Sequence, residues 1–177
     1  MYKFVKAGIT TFDCADIYTG VEELIGKFRK KYQDEFRTGD LPPIQVHTKY
    51  VPDYGALATL KKEDTEKIID RSLKRLQVEQ LDLVQFAWWD YQFPRYLETA
   101  VHLSELQKSG KIKYIGVTNF DTPRIKQMID AGVEITTNHR PICSNAVNVY
   151  LTKFAAIEPM RVYPDNALSQ LEFDKIK

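Results

Sequence analysis

Asp13, Tyr18 and Lys49 are the three side chains of this sequence that together can move a proton at a carbonyl group. A phenol is a weak acid near neutrality, with a pKa of about 10 in water. A lysine ammonium beside a phenol favours its ionised form. A carboxylate against the lysine keeps that ammonium charged and oriented. A phenol held in such company can give or take a proton at a carbonyl oxygen. That suits reversible carbonyl reduction, with the hydride supplied from elsewhere. Asp13 and Lys49 alone read equally well as a buried ion pair. A second group lies in LDLVQFAWWDY (residues 81–91), where Leu81, Leu83, Val84 and Phe86 run into Trp88, Trp89, Asp90 and Tyr91. Aromatic and polar surface at the end of an apolar run suits a binding site, and Ala87 is conspicuously small there.

These residues need elements to hold them. The pattern predicts strands over residues 9–15, 44–50, 81–88, 112–117 and 133–137. It predicts helices over residues 2–7, 21–36, 63–76 and 95–109, and one that opens at Thr122 and Pro123 and stops at Gly132. Asp64 and Thr122 are the expected N-caps. Such alternation means a parallel sheet with helical crossovers. Two architectures satisfy it, an open doubly wound sheet and a (β/α)₈ barrel. In both, the site lies at the carboxyl ends of the strands. Those ends carry Asp13, Asp16 and Tyr18; Lys49 and Tyr50; Trp88, Trp89 and Asp90; Thr118 and Asn119; Asn138 and His139. The strand starts, Ile9, Ile44, Leu81, Ile112 and Val133, carry no such chemistry.

The composition narrows the class. The 177 residues are 44% hydrophobic and 28% charged with a net charge of +1, which gives no sign of a nucleic-acid surface. No apolar run is long enough to span a bilayer, and the first residues lack the apolar core of a secretory signal. Cys14 and Cys143 are isolated, so a cytoplasmic protein with reduced thiols is expected. His47, His102 and His139 have no ligand grouping around them, so no metal site is expected.

The segments GITTFDCADIYTGVEELIG (8–26), HTKY (47–50), LDLVQFAWW (81–89) and GKIKYIGVTNF (110–120) resemble the aldo-keto reductases in order, spacing and strand-end placement. The resemblance covers residues 1–140. It implies a (β/α)₈ TIM-barrel fold and an NADP(H) cofactor, less often NADH, with a small-molecule carbonyl as substrate. It assigns Asp13, Tyr18 and Lys49 as catalytic residues, with Tyr18 the proton donor. It places Thr118 and Asn119 against the nicotinamide carboxamide, and Trp88 and Trp89 at the wall of the substrate pocket. His139 falls where the family has a carboxamide-holding glutamine.

Two departures qualify this. The family carries a histidine before the tryptophan that orients the substrate carbonyl, and this chain has Ala87. The five predicted strands resemble the second to the sixth of the barrel, so the fold expected is an incomplete barrel of about five βα units. Residues 141–177, broken by Pro141, Pro159 and Pro164, read as a divergent tail. Uncovered sheet edges would then invite self-association. The rival readings are a catalytically silent binding or scaffold module and a truncated product without function. Some site residues also have plainer uses: one tryptophan can pack under a helix, and Asn119 can shape the turn before the next helix.

Overall fold

The computed structural model describes residues 1–139, so the expected tail at 141–177 lies outside the described residues. The elements run α1 (Tyr2–Lys6), β1 (Thr11–Asp13), α2 (Val21–Lys31), α3 (Gln33–Thr38), β2 (Gln45–Tyr50), α4 (Lys62–Leu76), β3 (Leu81–Ala87), α5 (Tyr96–Lys108), β4 (Ile112–Thr118), α6 (Thr122–Asp130) and β5 (Ile135–His139). A short 3₁₀ turn, Tyr54–Ala56, lies between β2 and α4.

The single helix expected over residues 21–36 is two. Tyr32 leaves the helical region at φ −114°, and its ring packs on Tyr2 and Phe28. Two caps also differ from expectation. Asp64 sits in the first turn of α4, where its carboxylate accepts from the Lys61 N–H at 3.0 Å. Asp121, rather than Thr122, caps α6 by accepting from the Arg124 N–H. At α6 the carboxylate of Asp121 holds the cap position because it is a strong acceptor for the free N–H groups of a helix start.

The five strands are all parallel and stand in chain order, β1-β2-β3-β4-β5. A doubly wound sheet reverses its order at a switch point. Strict chain order is the arc of a (β/α) barrel, so the barrel alternative holds, as five βα units of an incomplete one. The register supplies a barrel's stagger. Asp13 pairs with His47, Lys49 with Gln85, and Ala87 with Thr118. Side chains alternate faces along a strand. Asp13, Lys49, Gln85, Ala87 and Thr118 therefore share one face, each strand contributing a residue further along.

The other face packs on the helices. Phe86 lies at its centre, stacked on Tyr50 at 5.8 Å and in ring contact with Trp88 and Phe120 at 5.7 and 5.4 Å. Leu103 of α5, Ile69 of α4 and Met128 of α6 are buried against this cluster. β5 joins through an irregular register, Ile115 pairing with Ile135 but Val117 with Asn138. Gly116 makes this feasible, since a Cβ there would overlap the Thr137 hydroxyl.

Candidate active site

Lys49 reaches the end of β2 with a stem that is almost wholly buried, its side chain 10% exposed. The ammonium donates to Asp13 Oδ2 at 2.5 Å and to the Cys14 carbonyl at 3.0 Å. It also lies over the Tyr18 ring, 5.4 Å from the centroid. Three residues from two strand ends and one loop thus meet at a single ammonium. Tyr18 is half exposed, so its hydroxyl has access to a molecule from solvent. Buried Gln85 donates to the second Asp13 oxygen at 3.1 Å. Asp13 is thereby held from two sides.

The remaining nominated residues divide. Ala87 ends β3 beside Thr118, and Thr118 in turn pairs with His139 at the end of β5. Asn119 follows β4 in the left-handed region at φ 63°. Its carbonyl accepts from the Tyr91 hydroxyl at 3.0 Å, and the Arg124 guanidinium covers the Tyr91 ring at 3.7 Å. Trp89 is 57% exposed, with its indole N–H bonded to the Pro52 carbonyl at 2.8 Å. The expected pocket-wall role of Trp88 is corrected. Trp88 is 5% exposed, lies on the helix side with Val84 and Phe86, and donates to the carbonyls of Asp90 and Phe93. The alternation along β3 puts Ala87 on the site face and turns Trp88 away from it.

Gln85 and Tyr54 carry no mark in the sequence, and Asn138 is marked there only by its place at a strand end. Gln85 could have been found by counting two residues back from Ala87. Tyr54 is exposed and its hydroxyl reaches Asp90 at 3.4 Å, so the loops after β2 and β3 are tied together twice. Asn138 is 2% exposed; its amide donates to the Phe120 carbonyl at 2.9 Å, while its buried Oδ1 has no partner among the described residues. An orphaned buried acceptor is rare and costly. A groove of about 550 Å³ lies at the opposite end of the strands, among Arg29, Phe36, Ile44 and Val78, and holds none of the site residues. Among the described residues no grouping of His, Cys, Asp and Glu could hold a metal ion, and no helix is long and apolar enough to cross a membrane.

Two buried groups between β1 and Tyr18, Cys14 and Asp16, titrate unusually. Burial pushes the Cys14 thiol up to about 11. Burial also pushes the Asp16 carboxyl up to about 6, outweighing the Val51 N–H and Arg71, which favour its charged form. A folded-state value above the usual 3.8 means that the native chain holds the proton more tightly than the unfolded one. The associated stability is present below the unfolded value and is lost as pH rises through about 6. At about 1.4 kcal/mol per unit, the loss is about 3 kcal/mol. Urea unfolding of Asp16→Asn and the parent should therefore show the parent losing ground to the variant between about pH 4 and about pH 6. Parallel profiles would show that Asp16 does not titrate in this window.

The aldo/keto reductase family pattern matches residues 1–159, well over half of the chain. The chain belongs to the aldo/keto reductase family. Among relatives, this aldo/keto reductase chain is 36% identical over 126 residues to aldo-keto reductase YhdN of Bacillus subtilis, covering 68% of this chain and 35% of that protein. It is 29% identical over 140 residues to methylglyoxal reductase DkgA of Yersinia pestis, covering 77% of this chain and 45% of that one. The chain thus spans between a third and a half of the length of these relatives. The thermostable aldo-keto reductase Tm1743, solved with the inhibitor epalrestat, superposes with a TM-score of 0.64 at 30% identity, over 81% of this chain and 49% of that one. A mutant of Gox0644 in complex with NADPH gives 0.62 at 29% identity, over 77% and 45%.

Proposed function

We propose that this chain carries an NADP(H)-dependent site for reducing an aldehyde or ketone, with Tyr18 as the proton donor. The observation that carries this reading is the convergence of Asp13, Lys49 and Tyr18 on one ammonium at the carboxyl ends of a barrel arc. A nicotinamide cofactor, when bound, supplies the hydride. Tyr18 gives its proton to the carbonyl oxygen. Lys49 compensates the charge left on the phenol, and Asp13, held by Gln85, orients Lys49. Exposed Trp89 and Tyr54 offer apolar surface for the rest of the substrate.

The orphaned Asn138 oxygen supports a nicotinamide as cofactor. A buried acceptor beside the end of β4 suits an N–H donor of the kind a carboxamide carries. In this reading Thr118, Asn119 and His139 share the carboxamide with it. The Gox0644 complex adds weight, since that related protein was solved with NADPH.

Ala87 favours a second reading, a binding module that holds cofactor without turnover. A titration with NADPH followed by tryptophan fluorescence tests what the two readings share. Trp89, exposed at the strand ends, should show saturable quenching at micromolar cofactor. A folded chain with no quenching at any cofactor concentration would remove both.

A further inference from the structure

Asp16 is buried, 5% exposed, in the loop between β1 and α2, midway between Asp13 and Tyr18. Its N–H donates to the Lys49 carbonyl at 3.0 Å, and its carbonyl accepts from Arg75 at 2.9 Å. Its Oδ1 accepts from the Val51 N–H at 3.1 Å, and its Oδ2 from Arg71 at 3.1 Å. Every polar atom of the residue is engaged, and the partners lie on the end of β2 and on α4.

The pattern continues a strand ladder by other means. Cys14 N–H donates to the His47 carbonyl and Asp16 N–H to the Lys49 carbonyl, as successive rungs of parallel pairing between β1 and β2. At the next rung the Asp16 side chain takes the Val51 N–H in place of a backbone carbonyl. The chain is then free to turn. Tyr18 N–H bonds back to the Ala15 carbonyl, and the Tyr18 ring lies under the Lys49 ammonium. Arg75 anchors this corner to α2 as well, since it also pairs with Glu22 and Glu23.

We propose that Asp16 is a positioning residue: by clamping the loop to Lys49, Val51, Arg71 and Arg75, it sets the Tyr18 ring against Lys49. This rests on the reading of Tyr18 as proton donor, but the placement can be measured without turnover. Asp16 touches neither substrate nor cofactor in this scheme and acts through Tyr18.

The test uses NMR of the Tyr18 ring in the full chain, with the signal assigned by Tyr18→Phe. In the parent, Lys49→Met should shift the Tyr18 signal, because the ring loses its ammonium. In Asp16→Ala that response should be lost, while the Trp88 indole signal stays in place and reports an intact core. A folded Asp16→Ala whose Tyr18 still responds to Lys49→Met would overturn the proposal. Should Asp16→Ala fail to fold, Arg71→Met removes one clamp at a half-exposed helical position, and an unchanged Tyr18 response there overturns it equally.

Turnover supplies the second arm, in chains carrying Ala87→His. There Asp16→Ala should lower kcat by about 10²-fold with little change in KM for NADPH, as misplacement of a proton donor does. A rise in KM alone would also count against a positioning role. Decoupling of Tyr18 in chains that show no turnover would leave the role of Asp16 standing and remove the reductase reading.

Discussion

Ala87→His is expected to raise the rate of NADPH-dependent aldehyde reduction by about 10²- to 10⁴-fold, the usual worth of a positioned acid–base or orienting group. The argument is one of place. Ala87 ends β3 on the same face as Gln85, two residues back, and Gln85 already bonds the Asp13 carboxylate. Its neighbour across the sheet is Thr118, and the neighbour of Gln85 is Lys49. An imidazole grown from this position enters the space bounded by the proposed proton donor and the proposed cofactor residues. It is also where the family carries the histidine that orients the substrate carbonyl. Residue 87 is half-buried at a strand end, so the larger side chain has an open side toward which to extend. Steady-state assays of the parent, Ala87→His and Ala87→His with Tyr18→Phe decide the matter. The gain should vanish in the double variant, because the histidine orients a carbonyl that Tyr18 must protonate. A gain that survives the loss of Tyr18 would remove Tyr18 as donor. No gain at all, in a chain that binds NADPH, would favour the silent binding module.

Gly26→Ala is expected to destabilise the fold by about 3 kcal/mol, the upper part of the usual range for overpacking. Helix propensity by itself says the reverse. Alanine in the interior of a helix is favoured over glycine by about 1 kcal/mol. Gly26 lies within α2, however, where that helix crosses α4, and a Cβ there would overlap the carbonyl oxygen of Arg75. The obstacle is backbone, so no rotamer change relieves it. The two helices must separate, and with them Arg75 from Glu22 and Glu23. The same arginine bonds the Asp16 carbonyl, so the strain reaches the Tyr18 loop as well. Urea or thermal unfolding measures the effect. An increase in stability would show that α2 and α4 do not make this close approach.

The site was legible in part. Asp13, Tyr18 and Lys49 declared themselves by residue type, and the structure joins them through one ammonium. Trp89 and Trp88 could not be separated by type, since both are large aromatics at a strand end. Alternation separates them: Trp88 shares the face of Val84 and Phe86 and goes into the core. Gln85 carried no signal of its own, because it is an ordinary polar residue until its partner is known; Asp16 and Asn138 stood out only by their place at strand ends, without the partners that give them a role. Gln85 meets Asp13 across 72 positions of sequence, and Arg75 meets Asp16 across 59.

The chain by itself determined what is local or periodic. The alternation of apolar runs, the helix stops at Gly110 and Gly132, and the crowding of chemistry at strand ends follow from neighbours two to four residues apart. Those patterns were enough for the fold class and, through four short segments, for the family. Tertiary structure decided what depends on register and on the packing of distant elements. It set the strands in chain order, choosing a barrel arc over a doubly wound sheet. It left the Asn138 oxygen without a partner among the described residues, and it made Gly26 a close helix contact rather than a weak point in a helix. Each of these is settled by which atoms of remote segments come within a few ångströms, and no pattern along a single stretch of chain encodes that distance.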